Sequence, residues 1–226
     1  MTEDRSASFV ELFFDLVFVF GITQIVASIH GHLDWPTLWR AAVVLFLLWW
    51  AWSQYTWLAG QADFDDIGPR VVMLMATAGT FLLAVSVQEA WGPDGEFFGL
   101  GYFGVMALAG AFFWIRAADT ESRAGASAYI PRVLGGAALV LVGGFFDGDL
   151  RTWFWVGGIV ATLLGAAAAG RFEYRLNDAH FAERHGLFVI IVLGEALIAI
   201  GVSTLGQDRS AVFYVGGTAA LVTVLA

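Results

Sequence analysis

Along the chain, apolar stretches of about 20 residues alternate with short polar breaks, and this is the length needed to cross a hydrocarbon core of ~30 Å as a helix. The pattern predicts seven such segments and a partial eighth, at 9–29, 38–60, 71–91, 97–115, 130–146, 153–170, 187–202 and 211–226. The breaks carry turn residues: GPDGE follows the third segment, DGDLR follows the fifth, and 117–129 reads as a polar linker bearing Gly and Ser. The expectation is an all-α, polytopic transmembrane bundle of about seven to eight helices. Residues 1–226 form a single transmembrane domain, with 1–8 as a cytoplasmic tail.

Composition narrows the class. Of 226 residues 59% are hydrophobic and 14% charged, and the mean hydropathy is +0.74, more apolar surface than one soluble core can hide. No Cys is present, which removes disulfides, thiolate metal sites and a Cys nucleophile. Every basic residue is Arg, so a retinal Schiff base has no lysine to form on. The net charge of −9 with no basic cluster argues against nucleic acid as a partner. Arginine placement sets the expected orientation. Alternating spans put Arg5, Arg70, Arg116, Arg123, Arg132, Arg171, Arg175 and Arg184 on one side and Arg40, Arg151 and Arg209 on the other, which points to a cytoplasmic N-terminus in a bacterial plasma (inner) membrane. Arg132 and Arg151, close to the short fifth span, would snorkel toward headgroups.

The residues that could carry chemistry interrupt apolar helices. Glu11 and Asp15 are four apart in the first segment and share a face, while Gln24 and Ser28 leave its other side, so this helix is expected to be enclosed by neighbours. In the seventh, Arg184 and Glu195 lie eleven apart, about 20° in rotation and ~16 Å along the axis. They line one face without touching, and each needs a partner on another helix. A first-helix carboxylate is the expected partner for Arg184. Glu195, counted from a helix beginning at Arg184, falls near the midplane, where insertion costs an acid roughly 2.5–3.5 kcal/mol. Asp178, His180, Glu183 and His185 form a compact ionisable group before that span. A metal site there is chemically conceivable, but 180 and 185 lack the i, i+4 spacing of a zinc-protease helix, so a solvated helix entrance is preferred and neither metal nor cofactor is expected. Glu89 reads equally as an interface or a pathway residue. Trp49, Trp50 and Trp52 lie mid-helix, where packing is the first reading and the wall of an apolar pocket the second. Paired glycines at 135–136, 143–144 and 157–158, with Gly165, predict close helix approach.

ELFFDLVFVFGITQ in the first segment and HFAERHGLFVIIVLGEALIAIG in the seventh resemble the bacterial low temperature requirement A (LtrA) family of membrane proteins. The positions that carry the resemblance are Glu11, Phe14, Asp15, Gln24, His180, Glu183, Arg184, His185, Gly194 and Glu195. The resemblance implies a multi-pass bacterial membrane protein without a defined molecular activity. It also implies a longer chain, with this sequence as its N-terminal part.

Three functions fit these residues. One is a proton- or cation-linked transporter or channel, with Glu195, Asp15, Glu11 and Gln24 along the pathway and Arg184, Glu183, His185 and His180 as a structural or gating charge group. Another is an intramembrane enzyme acting on a lipid or polyprenyl substrate through His180, Glu183 and His185, with no catalytic residue assigned. The third is a non-catalytic membrane stress-response component. The bilayer is the certain partner; an ion or small solute, and a homo-oligomer, are compatible with the pattern.

Overall fold

A computed structural model describes residues 8–29, 34–60, 66–117, 120–169 and 178–203. It contains seven helices: α1 (Phe9–Ile29), α2 (Trp35–Ala59), α3 (Ile67–Val85), α4 (Gly95–Arg116), α5 (Thr120–Gly144), α6 (Gly148–Ala169) and α7 (Asp178–Ser203). Six of them, α1 to α6, are long and apolar enough to cross a membrane. The seventh has 26 residues and so reaches roughly 39 Å at 1.5 Å per residue. The chain is a polytopic membrane helix bundle. The expected eighth span, 211–226, lies outside the described residues.

Local chemistry sets several helix ends. Ser8 and Glu11 form a reciprocal cap on α1: the Ser8 backbone N–H donates to Glu11 Oε2 at 2.7 Å, and the Glu11 N–H donates to Ser8 Oγ at 3.4 Å. Asp34 caps α2 by accepting from the Thr37 N–H at 2.8 Å, with Pro36 in the first turn, where a missing N–H costs nothing.

Packing follows from which faces are apolar throughout. Helices α7, α1, α3, α4, α5 and α6 form an arc in that spatial order, and α2 fills its hollow, touching α1, α4, α6 and α7. Among the described residues no contact closes the arc between α6 and α7. The central position of α2 explains why Leu47, Leu48, Ala51, Trp52 and Tyr55 are all buried. The Tyr55 hydroxyl donates to the Val105 carbonyl of α4 at 2.7 Å, satisfying a polar group that lipid could not. At the α5–α6 seam, a Cβ on Gly136 would come within 2.7 Å of the Gly158 carbonyl, and one on Gly158 within 2.7 Å of that of Gly136. Gly143 makes room for Trp155 and Gly165 for Arg132, whereas Gly135 and Gly157 face open space. The close-approach expectation thus holds at some of these glycines and not at others.

The structure corrects four sequence expectations. First, α3 begins at Ile67 and ends at Val85, although the apolar run reaches residue 91. Tight turns follow, closed by Val87 N–H to Ala84, Ala90 N–H to Val87 and Gly92 N–H to Glu89 carbonyls. Hydropathy counts side chains, but this end is set by backbone. Second, the polar linker at 117–129 is helical from Thr120, because Ala, Glu, Arg and Ser are adequate helix formers whatever their polarity. Third, Arg151 does not snorkel. It is 2% exposed and donates to the carbonyls of Ala90 at 3.0 Å, Gly92 at 2.7 Å, Phe146 at 2.7 Å and Gly144 at 3.3 Å, and to Asp147 at 3.0 Å. Arg132, by contrast, is exposed, as snorkelling requires. Fourth, the described residues do not wholly enclose α1: Phe13 and Leu16 are more than half exposed.

Candidate functional site

The polar residues of α1 meet α7 and α2 near the end of the bundle where α1 starts. Glu11 and Asp15 project from one face of α1, and Arg184, in the second turn of α7, reaches both. Its Nη1 donates to Glu11 Oε1 at 3.1 Å and its Nη2 donates to Asp15 Oδ1. Trp52 of α2 is the fourth member. Its indole N–H donates to the same Asp15 Oδ1 at 2.7 Å, and the Arg184 guanidinium carbon lies 6.0 Å from its ring centroid. Phe188, one turn beyond Arg184, stacks on Trp52 at 4.3 Å, and His185 meets that indole edge-on at 4.6 Å. Arg184 and Asp15 are 0% exposed and Glu11 2%.

These contacts decide the electrostatics. Each N–O pair gains about 4 kcal/mol at an effective dielectric of ~20, less than the combined cost of inserting the acid and the base, roughly 2.5–3.5 kcal/mol for each. The Coulombic gain of one pair does not offset its burial, and this guanidinium faces two acids. Asp15 Oδ2 and Arg184 Nε are buried and have no hydrogen-bond partner among the described residues. Two acids thus share the Arg184 guanidinium, and Asp15 keeps a buried oxygen that no described group satisfies.

Beyond Phe188, Phe18, Ile22, Leu48 and Trp49 help to line a wholly apolar cavity of about 180 Å³. Trp49 thus serves as a pocket wall, and Trp52 as a hydrogen-bond donor to the buried acid. Nothing in an apolar helix pattern singles out such a tryptophan, whereas Ser-x-x-Glu ahead of an apolar run is a capping signature that the sequence does display. Contacts at Phe18 and Ile22 follow those at Asp15 as Phe188 follows Arg184, so α1 and α7 run parallel. By that register Glu195 lies roughly level with Gln24, past the middle of α1. Glu195 is half-buried and has no partner among the described residues. Gln24 accepts a hydrogen bond from Gln88.

Of the remaining ionisable group the structure describes two side chains. Glu183 is exposed and His185 is turned onto Trp52. The side chains of Asp178 and His180 lie outside the described residues. Among the described residues no three His, Asp or Glu side chains are grouped to hold a metal.

Comparison with known proteins gives the same two helices a wider frame. The family model for the bacterial low temperature requirement A protein matches residues 6–226, nearly the whole chain. This chain belongs to the LtrA family. An uncharacterized protein of Rhizobium meliloti is 28% identical over 214 residues, covering 90% of this chain and 52% of that protein. The LtrA chain described here therefore spans about half the length of the curated relative it matches. No solved structure matches it.

Proposed function

We propose that this LtrA protein moves a proton or a monovalent cation across the bacterial inner membrane, alone or coupled to a small solute. The observation that supports the reading most is a carboxylate oxygen, Asp15 Oδ2, buried beside Arg184 with no hydrogen-bond partner among the described residues. A proton or a cation on that oxygen would satisfy it. Binding and releasing that charge is the elementary step of proton- or cation-linked movement. In this reading Asp15, whose second oxygen accepts nothing, is the exchanging group. Glu11 holds Arg184 while Asp15 releases it, and Trp52 keeps the Asp15 carboxyl oriented. The apolar cavity behind Phe188 separates this station from Glu195 and from the Gln24–Gln88 pair, which form the next polar level.

The test is ion flux in proteoliposomes with unmodified protein, Asp15→Asn and Glu195→Gln, beside the Tm of each in detergent. Asp15→Asn leaves one acid facing one base and so should stay folded, with flux lowered at least ~10-fold. Glu195→Gln should also slow flux. If both variants carry proton, sodium and potassium as the unmodified protein does, the cluster is a helix clamp and the transport reading fails.

A further inference from the structure

At the opposite end of α1, a second cavity of about 200 Å³ opens between the last turn of α1, the first turns of α2 and the turns that follow α3. Its floor is aliphatic, and its polar lining is Ser28, Thr37, Arg40, Gln88 and Trp91. Among the described residues Arg40 is the sole charged one lining it, and no carboxylate does. The Arg40 guanidinium carbon sits 5.5 Å from the centroid of the Trp91 ring, and among the described residues Arg40 has no carboxylate partner. The Trp91 indole N–H is buried and without an acceptor, while the ring packs on Trp155 at 4.6 Å. Gln88 and Ser28 already donate, to Gln24 and to the Ile25 carbonyl.

The strong donor left over in the recess is the Arg40 guanidinium, exposed, stacked on Trp91 and without a carboxylate among the described residues. A recess of this size with a cation on its wall and an aliphatic floor suits a small molecule bearing a carboxylate or phosphate. We propose that this cavity is an anion site, with Arg40 supplying the charge and Trp91 the platform that holds the guanidinium in place. The oxyanion could belong to a soluble solute or to a phospholipid headgroup, since both present the same chemistry at a membrane boundary. The proposal does not rest on the transport reading, because it concerns binding at the other end of α1.

The experiment measures binding to the whole chain, purified in a nonionic detergent and then in phosphatidylcholine nanodiscs. The probes are inorganic phosphate and acetate, titrated at constant ionic strength against a chloride control, with thermal shift and calorimetry as readouts. A soluble-anion site gives saturation that Arg40→Gln weakens ~10-fold or more, that Trp91→Phe weakens several-fold, and that Asp15→Asn leaves unchanged. A headgroup site gives no saturation by either anion, but an Arg40-dependent stabilisation when phosphatidylglycerol is added to the nanodiscs. If Arg40→Gln keeps the Tm of the unmodified protein and no anion, soluble or lipid, produces an Arg40-dependent response, the proposal is wrong.

Discussion

Arg184 uses both of its terminal nitrogens on acids from a single helix face, and that arrangement makes unequal demands on the partners. Removing the guanidinium takes its charge from two buried carboxylates, a loss of roughly 3–5 kcal/mol by comparison with other half-deleted buried pairs. Arg184→Gln should therefore lower folded yield and Tm sharply. The double variant Arg184→Gln with Asp15→Asn should recover a large part of the loss, because the fully buried acid is then neutral and a Glu11 oxygen is still held by the Ser8 N–H. Size-exclusion yield and Tm across the four proteins decide it; strict additivity would mean that Arg184 and Asp15 do not interact energetically.

At the scale of elements, the α5–α6 pair depends on backbone touching backbone, so position along the seam matters more than residue type. Gly158→Ala puts a methyl 2.7 Å from the Gly136 carbonyl and should destabilise by about 1–3 kcal/mol. Gly157→Ala, facing open space, should be neutral or slightly stabilising because it removes backbone freedom from the unfolded chain. Thermal unfolding of the two variants in one detergent distinguishes them. The contrast also shows what a sequence can convey. Apolar length betrays the spans, and an acid pair at i, i+4 inside one of them betrays half of the site. Which of two adjacent glycines meets a neighbour depends on helix rotation, which hydropathy does not encode. Arg151 is misread for a related reason: a charge beside a turn is ordinarily solvated, and only the folded chain brings the carbonyls of two separate turns onto it. Trp52 escapes notice because its role is defined by a carboxylate on a different helix.

For the molecule as a whole, the arc around α2 gives each end of the bundle its own chemistry, a charge cluster at one and a cavity lined by Arg40 at the other. The arginine bias proposes that the cluster end is cytoplasmic. With no native Cys, single cysteines at Ser8, Asp94 and Ser122 report this directly. Asp94, an exposed position, is preferable to Gly95, where a side chain would strike the Arg151 guanidinium. In intact cells an impermeant maleimide should label Asp94→Cys alone. Labelling of Ser8→Cys and Ser122→Cys in its place would invert the orientation.

The contact between Asp15 and Arg184 also has a timetable. The two residues are separated by 169 positions, and a chain grows at roughly 5–20 residues per second. For about 8 to 34 s, then, the first helix exists while the cation that completes it has not been made. During that interval its acids must stay near the water boundary or borrow a companion from the insertion machinery, and α1 settles at its final depth only when α7 arrives. The last described helix to be synthesised sets the place of the first.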